Sequence, residues 1–203
     1  MSQIQLIRVD NRLVHGQVGM TWSSALNIDA IVVVDEEVVY NVFSQKLMAS
    51  IAKAANLDIA FYTIEDFVTT FQKQKDTKKI FVIVKNIQTV RKLYEKGIRF
   101  PKINIGNIHY ERGRYPLNKK MYLTETDVQD LNYLNEVGNT IFYQDVPGTM
   151  TEKIELLDFE KLKRRETMDI KKSLSQELKK RCETLKLCED ERFSAASLAG
   201  AFH

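Results

Sequence analysis

The sequence predicts an α/β fold: a single open, mostly parallel β-sheet of about seven strands with helices on both faces. Two observations carry that prediction. Short apolar runs rich in β-branched residues recur along the first 160 residues, and segments with apolar positions three or four apart separate them. The alternation is the pattern of parallel strands joined by helical crossovers. The chain's 203 residues are enough for one such domain with a core, and short for two full domains.

Taken in order, strands are expected at about 3–9 (QIQLIRV), 29–35 (DAIVVVD), 57–62 (LDIAFY), 79–85 (KIFVIVK), 102–106 (KINIG), 120–123 (KMYL) and 139–144 (NTIFYQ). Helices are expected at 17–27, 38–55, 64–74, 87–96 and 125–137. In the second, Phe43, Leu47, Ile51 and Ala54 make one apolar stripe, the face such a helix turns to a core. The fifth begins at a start signal, with Thr124 as N-cap and Asp127 three positions on. Right-handed crossovers follow from this order, and ligands of such sheets bind beyond the C-terminal strand ends.

The domain is expected to span 1–160. Residues 161–203 change texture: helix-forming composition, sparse apolar positions (Leu162, Ile170, Leu174, Leu178, Leu185) and a small-residue end read as a charged helical extension. Cys182 and Cys188, separated by five residues, match neither a CxxC redox motif nor a zinc knuckle, and are expected to be reduced thiols. From Glu160 onward there are 11 Lys/Arg against 8 Asp/Glu, which leaves 19 against 19 before it. A neutral body argues against a nucleic-acid partner. No run approaches the roughly 20 apolar residues of a membrane span, and the start lacks a signal peptide's apolar core, so a cytoplasmic location is expected.

Residues 8–18, RVDNRLVHGQV, crowd Asp10, Arg12 and His15 into a loop where the first strand ends. A histidine in a turn before a helix can reach solvent while free backbone N–H groups and the positive end of the helix dipole favour a negative group on its ring. Imidazole is partly neutral near pH 7 and nucleophilic, and a phosphoryl group transferred to it makes a reactive N–P bond. Arg12 is placed to neutralise phosphoryl oxygens. Asp10 either orients the imidazole or holds Arg12 by an ion pair, and Arg8 is a second cation nearby.

Other candidates are weaker. His109 follows the fifth strand and is expected at the same sheet edge. Gly106 and Asn107 suit a tight turn with amides for an anion, or are turn chemistry alone. Asp35, Glu36 and Glu37 resemble an acid/base set, but acids are common in a helix's first turn for dipole reasons. Trp22 falls on the first helix's buried face and reads as core. With three histidines in all and no HxH, HExxH or clustered cysteines, no metal site is expected. Neither GxGxxG nor GxxxxGK[ST] occurs, which disfavours a nucleotide cofactor.

The stretch RVDNRLVHGQV resembles the first loop of the IIB components of the mannose/fructose/sorbose family of the phosphoenolpyruvate-dependent sugar phosphotransferase system (PTS), whose pattern reads close to R-[IV]-D-x-R-[LF]-[IV]-H-G-Q. The likeness continues through IVVVDEE, FVIVKNIQTVRKLYEKGI, INIGNIH and LTETDVQDL to VPGTM, over roughly 3–160. INIGNIH looks more like the members specific for N-acetylgalactosamine or related amino sugars than the NVGGM type of mannose or fructose members.

The resemblance implies a transferase in which His15 accepts a phosphoryl group, expected at Nδ1, from a phosphohistidine on a IIA partner. His15 then passes it to a sugar hydroxyl, at position six, held by the membrane components IIC and IID. It also implies that Arg12 and Asp10 act with His15, that Arg8, Asn11, Gly16, Gln17, Gly106 and Asn107 complete the phosphate loop, and that no cofactor is needed. The base for the second transfer is expected from the membrane partner. Arg8, Arg12, Arg112 and Arg114 are candidates for a docking rim used by both partners. The chain would then work at the inner face of the cell membrane through IIC and IID. The family admits homo-oligomers, although no exposed apolar stripe is expected in the body. Two other readings stay open: a non-catalytic α/β regulatory module that senses phosphorylation state, and a hydrolase, which the lack of a GxSxG nucleophile elbow disfavours.

Overall fold

A computed structural model describes residues 3–16, 18–73, 77–168, 171, 174–178 and 180–181. Gln17, Ile170, Cys182, Leu185 and Cys188 lie outside the described residues. The chain divides into two compact units, Met1–Phe159 and Glu160–His203. In the second, residues 160–168 and 174–178 are helical, and Leu174 and Leu178 are exposed.

The first unit is built on a seven-stranded sheet. Its strands are β1 (Gln3–Val9), β2 (Ala30–Val34), β3 (Asp58–Tyr62), β4 (Lys79–Val84), β5 (Lys102–Ile105), β8 (Thr140–Tyr143) and β9 (Glu152–Lys153), with β6 (Tyr115–Asn118) and β7 (Met121–Leu123) forming a separate hairpin. The order is β3-β2-β4-β1-β5-β8-β9; all pairs are parallel except β8 with β9. The sheet is therefore mostly parallel with seven strands, as expected, but its seventh member differs. The KMYL strand leaves the sheet to pair antiparallel with Tyr115–Asn118. The place at the edge goes to Glu152–Lys153, two exposed polar residues that carry no apolar period.

Register explains how both faces are buried. Leu6, Phe81 and Ile31 lie side by side, as do Ile83 and Val33, and all five join one apolar cluster with Leu13, Val14, Val18, Trp22, Met48 and Ala52. The other face, with Ile7, Val82 and Val32 in register, is equally buried. There α4 (Ile87–Glu95) packs on β1 and β4 and touches α3 (Ile64–Lys73) and α5 (Glu125–Glu136). Side chains buried on both faces make the strands read as unbroken apolar runs. The helix starts behave as their sequences require. Asn86 accepts from the Thr89 N–H at 2.9 Å, and Thr124 and Asp127 form a reciprocal capping box.

One expectation fails. In α2 (Val42–Ala54) the Phe43/Leu47 stripe faces solvent, with Phe43 79% and Leu47 57% exposed, and Tyr40 beside them is exposed too. The helix instead buries Met48 and Ala52, about 140° around the helix from Phe43 and Leu47. Its start is held by Asn41, which caps Ser44, and by Gln45, whose amide donates to the carbonyls of Val38 and Val39. Ile51 faces Gly19 so closely that a Cβ there would lie 2.4 Å from Ile51 Cγ2. The small residues Gly19 and Ala52 let the helices approach each other and the sheet, which leaves Phe43 and Leu47 outside.

Candidate functional site

The loops after β1, β4, β5 and β8 meet at the C-terminal edge of the sheet, and the β1 loop holds the candidate residues. Its course is set by the backbone. Asp10 N–H donates to Val84 O at 2.9 Å, Asn11 N–H to Asn107 O at 2.9 Å and Leu13 N–H to Asp10 O at 2.9 Å. Leu13 has φ 54°, a left-handed conformation that costs a side-chain-bearing residue about 1–2 kcal/mol. Burial of Leu13 and Val14 in the core offsets that cost. The turn that results delivers His15 just ahead of a π-helical turn, Val18–Trp22, which continues into α1 (Ser23–Leu26). Such turns are rare and concentrate at functional sites.

Asp10, fully buried, is the hub. Its Oδ2 accepts from Arg8 Nη2 at 2.9 Å and lies 3.3 Å from His15 Nε2, while Oδ1 accepts the Arg12 N–H at 3.1 Å and is 3.8 Å from Arg12 Nε. Burial alone would raise this carboxyl's pKa. The hydrogen bond to His15, the charge of Arg8 and the Arg12 backbone amide together outweigh it and hold Asp10 below the ordinary value of 3.8. Asp10 thus contacts the imidazole and lies within ion-pair distance of both arginines. The imidazole is 21% exposed; with Nε2 turned to Asp10, Nδ1 makes no hydrogen bond among the described residues.

Arg8 and Arg12 divide the positive charge. Arg8 is 1% exposed, and burial lowers its pKa. Its Nη1 donates to Asn104 Oδ1 and, at 3.1 Å, to Gln144 O, and its guanidinium carbon lies 5.2 Å from the Trp22 ring centre. Arg8 is a fixed internal cation facing Asp10. Arg12, 48% exposed, is the one able to meet an incoming anion.

The remaining candidates sort by geometry. Asn11 ties three loops together: Oδ1 accepts from the His109 N–H and Nδ2 donates to Lys85 O at 3.3 Å. Asn107 Nδ2 is 3.0 Å from His109 Nε2, and the His109 N–H bond to Asn11 places His109 against the loop that carries His15. The Gly106 N–H is already given to Val9 O at 2.8 Å, so it is not an open amide for an anion. Gly16 is exposed at the head of the turn, with open space where a Cβ would stand. Of the expected rim, Arg112 is exposed, but Arg114 is tied to Glu111 and Asp127. The acidic trio is structural. Asp35 caps the Glu37 and Val38 amides, Glu36 caps Ile64 and Glu37 pairs with Lys85. The described residues contain no cluster of His, Cys, Asp and Glu suited to a metal ion.

Sequence reasoning missed Asn104, Gln144 and the second role of Trp22. Asn104 is fully buried within KINI, a polar residue in an apolar strand, which is the signal that could have found it. Its amide also donates to Gln144 O at 3.3 Å. Trp22 is core, stacked on Phe81 with ring centres 6.3 Å apart, and its Nε1–H donates to Asp145 O at 3.1 Å.

The family model described as PTS system sorbose subfamily IIB component matches residues 4–172. The chain belongs to this family. The IIB chain is 42% identical, over 151 residues, to the N-acetylgalactosamine-specific phosphotransferase enzyme IIB component 1 of Escherichia coli (strain K12), covering 74% of this chain and 96% of that protein. It is 30% identical over 147 residues to component 2 of the same kind and organism, covering 72% and 93%. The crystal structure of the Escherichia coli N-acetylgalactosamine-specific IIB component 1 matches the IIB chain with a TM-score of 0.72 at 42% identity, over 75% of this chain and 99% of that one. The IIB chain is accordingly a component of a sugar phosphotransferase system.

Proposed function

We propose that His15 is the phosphoryl carrier of this IIB chain, loaded by a phosphohistidine on a IIA protein and unloaded onto a sugar held by the membrane components IIC and IID. The observation that carries the reading is the chain from buried Arg8 and Asp10 to partly exposed His15, in which Asp10 engages Nε2 and leaves Nδ1 as the ring nitrogen without a protein partner among the described residues. With the proton on Nε2, Asp10 Oδ2 is its acceptor and the Nδ1 lone pair is the nucleophile. In line with the donor, Nδ1 forms the new N–P bond as the donor's N–P bond breaks, and that electron pair returns to the donor nitrogen. Arg12 neutralises the equatorial oxygens. The developing positive charge on the imidazole is stabilised by a carboxylate that Arg8 keeps ionised.

In the second transfer the N–P bond breaks, the electron pair returns to Nδ1, and the sugar hydroxyl loses its proton to a base on the membrane partner. Among the described residues no group at the site is placed to serve as that base, and the reading calls for no cofactor in either step. The 42% identity to an N-acetylgalactosamine-specific component supports N-acetylgalactosamine or a related amino sugar as the final acceptor. The reading places the chain in the cytoplasm at the membrane's inner face through its partners; among the described residues no helix is long and apolar enough to cross a membrane.

The test is incubation with phosphoenolpyruvate, the two general phosphotransferase proteins and the IIA partner. Acid-labile, base-stable phosphate on His15 is expected, and none on His15→Ala. No label on the wild type, or undiminished label on the variant, defeats the reading.

A further inference from the structure

Gly106 follows β5 at the point where the Arg8 side chain reaches the sheet edge. A Cβ built on it would lie 2.2 Å from Arg8 Nη2, 2.3 Å from Cζ and 2.7 Å from Nε, far inside an ordinary contact of about 3.5 Å. The guanidinium thus rests against the bare Cα of Gly106. Nothing in the glycine's own backbone calls for glycine, since its N–H makes a regular bond to Val9 O and it is not among the positive-φ residues. What the position requires is space.

From this overlap we infer that Gly106 is a positioning residue: its missing side chain forms the slot in which Arg8 lies, and through Arg8 and Asp10 it fixes the orientation of the His15 ring. The guanidinium is held in that slot on its other sides. Asp10, Asn104 and Gln144 O hold it by hydrogen bonds, and the Trp22 ring borders it. An alanine at 106 fits the main chain, and the atoms that must yield are the tip of a long side chain. The fold therefore survives while the guanidinium is driven from its partners. Asp10 Oδ2 then loses the guanidinium that holds the carboxylate in place, and the carboxylate no longer fixes the orientation of the His15 ring.

The functional consequence rests on His15 being the carrier, whereas the slot itself does not. The test is therefore Gly106→Ala in the full chain, alone and combined with Arg8→Met, read two ways. The first is the ¹⁵N signature of the unphosphorylated His15 ring, which needs no partner protein. The second is the rate of phosphoryl uptake from the IIA partner. Gly106→Ala alone is expected to shift the His15 ring signals and to slow uptake by roughly tenfold to a hundredfold, the scale of an ångström-level misplacement. Added to Arg8→Met, where the guanidinium is gone, it is expected to change neither.

Unchanged ring signals in Gly106→Ala, or equal effects in the two backgrounds, overturn the inference. Should Gly106→Ala fail to fold, folding restored by Arg8→Met supports the slot and failure in both backgrounds refutes it. A wild-type chain that takes no phosphate defeats the carrier reading alone, and the ring signals still decide the slot.

Discussion

Asp10 joins a buried arginine, an exposed arginine and a histidine through its two oxygens, so its charge matters for stability as well as for the proposed chemistry. Asp10→Asn leaves Arg8 charged and uncompensated inside the protein, and such breakage costs about 3–5 kcal/mol. Urea unfolding at neutral pH is expected to show a loss of that size. The sign of the pH dependence follows from the lowered Asp10 pKa. Its contribution is complete above the ordinary 3.8 and is lost as pH falls through the lower folded value, so the gap between wild type and Asp10→Asn should narrow in acid. Arg12 presents the opposite case. It is half exposed, so Arg12→Ala should change stability by no more than about 1 kcal/mol while markedly slowing phosphoryl uptake; unfolding curves beside uptake rates check the separation. The cluster of Asp10, Arg12 and His15 was legible because all three lie within six residues of one loop. Asn104 and Gln144 were not, because their roles exist only once β1, β5 and β8 lie side by side.

Among the elements, α2 shows where periodicity misleads. Apolar spacing points to the Phe43/Leu47 stripe as the inner face, whereas the structure buries Met48 and Ala52. Close approach of the π-helical turn Val18–Trp22 and of the sheet selects Met48/Ala52 instead, because Gly19 and Ala52 are small enough to allow it. Phe43→Ala and Leu47→Ala should therefore each change stability by only about 0.5 kcal/mol, whereas Met48→Ala should cost about 2–5 kcal/mol. Comparable losses at all three positions in thermal or urea unfolding would contradict the observed orientation. The parallel strands were legible from their apolar runs. The two-residue β9 was not, since Glu152 and Lys153 are recruited by pairing with Phe142 and Tyr143 and not by any pattern of their own.

For the whole molecule, a sheet of this order brings four loops to one edge, and the phosphoryl chemistry proposed here needs nothing outside that edge and its partners. The family match ends at residue 172, and relatives covered over nearly their full length align with about three-quarters of this chain. Removal of residues 173–203 should leave the rate of phosphoryl uptake unchanged, and a fall in that rate would assign the tail a part in the transfer. The central claim is that the Arg8–Asp10–His15 chain presents Nδ1 to the phosphoryl group. Heteronuclear ³¹P and ¹⁵N NMR of the phosphorylated full chain tests it most directly. The predicted result is a single N–P bond at His15 Nδ1 with Nε2 still protonated against Asp10. Phosphate on Nε2, or on any residue other than His15, contradicts the account.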